Sequence, residues 1–401
     1  MFPDRSYPCD HAMLESVYAR ILPSRGHEVH WIMRAADHDP AKPARNWHGS
    51  TVHTVPLVSG SPLINTRVAI ATALATHRTL RGTVSEPFDI VQVRNEIGPS
   101  LAALRARLQG RFSFVYQMSF PNAEARLAGA AQGVLRPAPY HWARGHVELI
   151  ARRWVVRRAD AVLAVSDTMR HALLTDRGVS PDRVVAFPLG YDASVDPGTA
   201  SASARQEIGL ADRPLAVYFG TLSASRRLGF LVQALISARR SVPRMALLVI
   251  GGDGDVQGLR AVFDREGVGE DVRFLGRLSR RETARYVASA DVAVVPIPPT
   301  PEYLWSSPTK LLESLGLGVP VVANQEVPEI AAVIGASGGG LLVPYDAEAF
   351  GAAMAQLILD PARRASCATT GRAWVQRHRS YEVLAADVEQ LYSRLRAPVR
   401  P

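Results

Sequence analysis

Ser306-Ser307-Pro308-Thr309-Lys310-Leu311-Leu312-Glu313-Ser314-Leu315-Gly316-Leu317-Gly318-Val319-Pro320-Val321-Val322-Ala323-Asn324 reads as a short helix followed by a buried strand. Ser307 suits the N-cap, and Pro308 at the first helical position lacks an N–H that would have no partner there. Gly316 and Gly318 end the helix, and Val-Pro-Val-Val-Ala begins a strand with its proline at the edge. In that geometry the amides of Thr309 and Lys310 and the positive end of the helix dipole converge on one spot that suits an anion. Lys310 and Glu313 are three residues apart, so an ammonium for phosphate and a carboxylate for hydroxyls share a face. Such a site would hold a sugar nucleotide. The same residues also fit a merely capped helix with a solvated Lys310 and an ordinary surface Glu313, so the surrounding chain must decide.

Outward from this stretch, the composition is that of a globular α/β protein. Of 46 basic residues only Lys42 and Lys310 are not arginine, and the net charge is +9. The chain is 47% hydrophobic and 21% charged, a balance that excludes disorder. At 401 residues it should form two domains, since single cores rarely grow beyond about 250–300 residues. Cys9 and Cys367 are too few for a disulfide framework, and no Cys-x-x-Cys or His cluster has metal-ligand spacing, so no metal is expected. No secretory pattern and no apolar run of about 18 residues is found. The expected location is the cytoplasm or the inner face of a membrane. No nucleic-acid recognition module accompanies the basic charge, so nucleic acid is not an expected partner.

Strands are predicted at His27–Met33, Thr51–Pro56, Ile90–Val93, Phe112–Tyr116, Ala161–Val165 and Val184–Phe187. Helices fall between them near His11–Leu22, Ile64–Arg81, Ser100–Leu108, Gly145–Arg158 and Asp167–Asp176. After the Pro/Ala/Ser-rich connector Ala193–Ser203 a second alternating series runs from Leu215–Phe219 to Ala347–Leu359. The division expected is 1–192, then 193–380, with a C-terminal helix in 381–401 returning to the first domain. Two parallel-sheet domains would place a ligand at the carboxyl ends of their strands. Met1–Asp10 has the Pro, Asp and Ser content of a loop, with no strand before it. Either the fold lacks its first strand or the true start lies upstream, and an upstream apolar strand is the expectation. Arg144–Arg158 carries five arginines beside Trp154, preceded by Trp142. Its stripe of Val147, Ile150, Ala151, Trp154 and Val155 is read first as core-facing, and second as peripheral contact with anionic lipid headgroups.

Four further segments bear on chemistry. Tyr218-Phe219-Gly220-Thr221-Leu222 runs into Arg226-Arg227, and arginines at a strand's carboxyl end can grip phosphate. Ile250-Gly251-Gly252-Asp253-Gly254 is a glycine-rich turn without full Gly-x-Gly-x-x-Gly spacing, equally explained by close backbone packing. Phe274-Leu275-Gly276-Arg277 ends another strand, and Pro188-Leu189-Gly190-Tyr191-Asp192 forms a hinge.

In order and spacing, these segments resemble the C-terminal half of a GT-B glycosyltransferase of the retaining family 4 type. The likeness runs from about Arg158 to Tyr381 and includes Ala290-Asp291-Val292-Ala293-Val294-Val295-Pro296 and Pro-Thr-Lys-Leu-Leu-Glu. The resemblance implies two Rossmann-like domains facing a cleft, a UDP- or GDP-sugar donor and an unidentified acceptor. No cofactor is implied beyond that donor. By resemblance Arg226 or Arg227 holds the diphosphate with Lys310 nearby, Glu313 binds the ribose and Arg277 lies by the base. Gly220, Gly252, Ser307 and Thr309 complete the donor set. Acceptor candidates in the first domain are Asp10, His11, Arg94, Asn95, Glu96 and Gln117. Two departures stand out: Trp305 occupies the place of the motif's first glutamate, and Gln117 and Ser119 stand where the family has a histidine. The resemblance implies front-face displacement, with the leaving phosphate helping to deprotonate the acceptor. A GT-B epimerase or phosphorylase, and a degenerate partner subunit, are the competing readings.

Overall fold

The computed structural model describes residues 1, 3, 5–39, 44–57, 88–108, 112–176, 178–201 and 203–396. The helix expected over Ile64–Arg81 lies outside the described residues. The chain divides into two compact units, Met1–Pro188 with Tyr381–Pro401, and Leu189–Ser380.

In the first unit β1 (Ser6–Tyr7) and β4 (Ser50–Pro56) flank β2 (His30–Ala35) in parallel, and β3 (Arg45–Trp47) returns antiparallel on β4. His48 and Gly49 both have positive φ, as a two-residue type I′ hairpin turn requires. A second, all-parallel sheet runs β5 (Ile90–Arg94), β6 (Ser113–Met118), β7 (Ala161–Ala164) and β8 (Val184–Ala186). The segment read as a leading loop thus contributes a short strand. The Met1 carbonyl also accepts from the Ile32 amide (2.9 Å), so the start of the chain lies alongside β2.

The helices of this unit are α1 (Leu14–Ile21, π-helical, continued by Leu22–Ser24), α2 (Ile97–Arg107), α3 (Asn122–Ala131), α4 (Ala138–Arg158) and α5 (Asp167–Leu174). The π-helical stretch buries Leu14, Val17, Tyr18 and Ile21. Tyr381–Arg396, the last helix of the chain, belongs to the same unit: Glu389 pairs with Arg25 and His27, and Ser113 donates to the Leu395 carbonyl (3.0 Å).

One helix departs from its expected orientation. The stripe of α4 read as core-facing is so only in part: Val155 is buried, whereas Val147 and Ile150 are 65% and 66% exposed, Trp154 is exposed, and so is Trp142 beside them. The inward side is fixed by ion pairs and close packing instead. Arg152 pairs with Glu124 of α3, and Glu148 takes Arg126 and Arg144. A Cβ on Gly145 would stand 2.7 Å from Leu127, so α3 and α4 pack too closely for a larger residue there.

The second unit is one six-stranded parallel sheet in the order β11-β10-β9-β12-β13-β14. Its strands are β9 (Leu215–Phe219), β10 (Ala246–Ile250), β11 (Val272–Gly276), β12 (Val292–Val295), β13 (Val321–Asn324) and β14 (Gly340–Val343). Central strands such as β9 and β10 are buried at every position, which is why they read as unbroken apolar runs rather than alternating ones. The helices are α6 (Ala204–Glu207), α7 (Gly229–Ser241), α8 (Val256–Arg265), α9 (Arg280–Ala288), α10 (Pro301–Leu304), α11 (Thr309–Gly316), α12 (Pro328–Ser337), α13 (Ala347–Leu359) and α14 (Pro361–His378). Ser279 and Glu282 close α9 with a reciprocal capping box, and Asp255, Asp346 and Asp360 cap α8, α13 and α14. Leu189 rather than Ala193 opens this unit, because the buried Tyr191 ring stacks where a Cβ on Gly316 would stand 2.4 Å from it.

Candidate active site

At the carboxyl end of β9 the chain turns through Gly220 and meets the glycine-rich turn after β10. The Gly220 amide donates to the Ile250 carbonyl (2.9 Å) and the Leu222 amide to that of Gly252 (2.8 Å). A Cβ on Gly251 would lie 1.8 Å from the Gly220 oxygen, and one on Gly254 would lie 1.9 Å from the Leu222 oxygen. Close approach of two backbones is therefore what these glycines serve.

Lys310 reaches this turn from the first residues of α11. Its Nζ donates to the Tyr218 hydroxyl (3.0 Å) and lies 4.1 Å from that ring's centroid. The Tyr218 hydroxyl in turn donates to the Thr221 carbonyl (3.1 Å). Gly220 leaves space for the ammonium, since a Cβ there would stand 3.2 Å from Nζ. Lys310 is only 8% exposed, so the solvated reading of this residue does not hold. Arg226 lies with its guanidinium 4.5 Å from the centre of the Tyr303 ring, and Tyr303 donates to Ser225 (3.0 Å). Burial, then the positive charge of Arg226, hold the Lys310 ammonium well below its usual range, while Glu313 opposes the shift. Burial also pushes the Tyr218 phenol up, so Tyr218 serves as a neutral hydrogen-bonding partner.

Two cations held together in a dry corner are stabilised by an anion between them. An anion bound there favours the charged lysine, so its binding takes up a proton where free Lys310 has lost one. Nucleoside diphosphate affinity should consequently fall as pH rises above the lowered titration of Lys310. Calorimetric titration across pH should show this fall in the wild type and a flatter profile in Lys310→Met. Equal slopes for the two proteins would refute the coupling.

The remaining donor residues lie around this corner. Arg227 is exposed in a left-handed conformation (φ 51°), whereas Arg226 faces Lys310 electrostatically, so the geometry separates the two arginines. Arg277, just after β11, donates from Nη1 to both carboxylate oxygens of Asp253 (3.2 and 3.3 Å), with Gly252 beneath it. Thr309 begins α11, and Glu313 follows one turn later. Ser307 does not cap the helix: Pro308 holds the N-cap position, and the buried Ser307 hydroxyl accepts from the Leu189 amide (3.1 Å). Trp305 is the C-cap of α10. Tyr218 and Tyr303 are the site residues that sequence reasoning missed, because both read as core aromatics.

A separate polar cluster lies in the first unit at the carboxyl ends of β5 and β6. Arg94 donates to His11 Nε2 (3.1 Å), and Arg34 pairs with Glu96 (3.1 Å). Asn95, with φ 57°, bonds Ser119 through both amide atoms (2.7 and 2.8 Å). Gln117 lies inside β6, accepts from Gln92 (3.0 Å) and is 2% exposed. Asp10 precedes α1 and is exposed. Among the described residues no group of three His, Cys, Asp or Glu could hold a metal, and no helix is long and apolar enough to cross a membrane.

Residues 18–195 match Glycosyltransferase Family 4, and residues 213–360 match Glycosyl transferases group 1. The GDP-mannose-dependent alpha-(1-6)-phosphatidylinositol monomannoside mannosyltransferase of Mycobacterium tuberculosis is 30% identical over 276 residues, 66% of this chain and 70% of the relative. The chain belongs to glycosyltransferase family 4. The enzyme of the same name from Mycolicibacterium smegmatis is 28% identical over 309 residues, covering 74% of this glycosyltransferase and 80% of its relative. A sucrose-phosphate synthase from Thermosynechococcus elongatus superposes with a TM-score of 0.72 at 22% identity, over 94% of this chain and 91% of that one. The fold is thus GT-B, and the Lys310–Tyr218–Arg226 corner belongs to the unit that matches the group 1 family.

Proposed function

We propose that this glycosyltransferase moves a hexosyl group from a GDP- or UDP-sugar to a hydroxyl acceptor with retention of anomeric configuration. The observation that carries the reading is the buried Lys310 ammonium set against Tyr218 and Arg226 at the end of β9. Breaking the bond between the sugar's anomeric carbon and the diphosphate oxygen leaves negative charge on that oxygen. Lys310 and Arg226 stabilise it, Glu313 holds the ribose and Arg277 lies at the base, with Gly220, Gly252 and Thr309 giving close backbone approach. The acceptor oxygen forms the new bond to the anomeric carbon on the same face, and its proton passes to the leaving phosphate. Charge stabilisation of this kind is commonly worth a few kcal/mol per donor group, and needs no divalent ion. The relatives' names, both GDP-mannose-dependent mannosyltransferases, favour GDP-mannose as the donor. His11, Arg94, Asn95 and Glu96 are the acceptor-side candidates.

A panel of GDP-, UDP- and ADP-sugars tests the donor. The true one, at about 100 times its Kd, should add roughly 2.7 kcal/mol of stability to the folded protein. No stabilisation by any member of the panel would sink the transferase reading. Product formed without an acceptor would point to an epimerase or phosphorylase instead. Anomeric configuration is read from the product's proton coupling, and activity should survive EDTA; loss restored by magnesium or manganese contradicts the metal-free mechanism. Glu313→Gln is expected to raise KM for the donor by about tenfold, the loss of one charge-assisted hydrogen bond. An unchanged KM and rate would remove Glu313 from the ribose.

A further inference from the structure

Helix α4 turns its apolar side outward. Among its exposed residues are Trp142, Val147, Ile150, Trp154, Arg157 and Arg158. At 100° per residue these positions fall on one continuous side of the helix. Its opposite side, with Gly145, Glu148, Arg152 and Val155, is turned inward and anchored on α3 or buried. The orientation is therefore fixed by ion pairs and the Gly145 contact, and rolling the apolar side inward would break them. Next to it, α2 exposes Leu101, its C-cap Leu108 is exposed too, and Arg107 of α2 donates to the Arg158 carbonyl (3.2 Å).

We infer that this side of α4 docks on a lipid bilayer carrying anionic headgroups. The charge pattern selects that occupant. The only acid in α4, Glu148, lies on the inward side between Arg126 and Arg144. Of the outward arginines, Arg153 pairs with Asp176 (3.1 Å), and Arg157 and Arg158 carry the basic charge at the helix's C-terminal end. Arg158 stacks 4.1 Å over the Trp154 ring, which places a cation and an amphipathic aromatic at one point. Tryptophan and arginine together suit the headgroup level, where rings meet acyl chains and guanidinium groups meet phosphate. The inference stands independently of the transferase reading.

The test is co-sedimentation of the full chain with phosphatidylcholine vesicles, with and without phosphatidylglycerol. The wild type should bind the anionic vesicles, and binding should weaken as salt is raised. Arg157→Gln with Arg158→Gln should reduce the partition coefficient by about 25-fold, about fivefold for each basic residue near such a surface. Ile150→Glu should reduce it by at least about tenfold, since a charge replaces a buried apolar contact. Both proteins should keep the wild-type melting temperature and GDP-sugar affinity, because none of these residues touches the donor corner. Failure of the wild type to bind anionic vesicles, or equal binding by Ile150→Glu, overturns the inference. So does a self-association of the wild type that Ile150→Glu abolishes, which would make a second copy of the chain the occupant.

Discussion

Replacing Lys310 by methionine is expected to lower kcat/KM by about 10²–10³, the usual consequence of removing one donor from developing oxyanion charge. Methionine retains the aliphatic stem that packs beside Gly220 and Tyr218 but cannot meet a phosphate. The folded protein should not suffer, because the ammonium is disfavoured where it lies: burial and Arg226 both work against its charge. A melting temperature equal to or above that of the wild type, with activity nearly gone, would mark Lys310 as kept for the substrate rather than for the fold. Arg226→Ala should cause a similar loss. The double variant should lose less than the product of the two, since both groups address the same charge. Near-normal turnover in Lys310→Met would remove the corner from the mechanism.

The sequence made this corner legible for a particular reason. In the second unit the central strands are buried on both faces, so β9 stands out as an apolar run with the bounds that the structure has. Lysine is so rare in the chain that Lys310 stands out in the sequence alone. Tyr218 and Tyr303 were invisible because an aromatic at a strand end carries no sign of what its hydroxyl will meet. Ser307 misled for a related reason: serine before proline suits a cap, but a tertiary partner, the Leu189 amide, took its hydroxyl. Local propensity yielded to a contact 118 residues away in sequence.

The first unit was harder to read, and α4 shows why. Periodicity identifies an apolar side of a helix without saying which way it points. Direction came from residues that score as polar surface, Arg152 with Glu124 and Glu148 with Arg126. These partly buried pairs set the roll of α4 on α3, and an apolar stripe was left in solvent as a result. The short antiparallel β3 and the helix α3 also escaped sequence reading, since both are brief and lack a strong repeat.

Gly251→Ala is expected to be strongly damaging although it adds a single methyl group. Its Cβ would fall 1.8 Å from the Gly220 carbonyl oxygen, 3.0 Å from the carbonyl carbon and 3.3 Å from Leu222. Two of the three obstacles are backbone atoms, so no side-chain rotation relieves them. The Gly251 amide is also held by the Gly276 carbonyl (2.8 Å), and the Gly220 amide by that of Ile250 (2.9 Å). The residue cannot move away without opening the turn from both sides. A cost of about 2–4 kcal/mol follows, in the range of combined steric and backbone strain. For a unit of this size that is a fall of about 4–16 °C in melting temperature. Activity should drop further than stability alone explains, because the displaced segment is Gly220, against which Lys310 lies. Gly252→Ala is the control: its Cβ would meet only the Arg277 Cβ, at an ordinary 3.6 Å. That variant should melt with the wild type. If Gly251→Ala also melts with the wild type, the close approach of the two turns is not what holds the donor corner in shape.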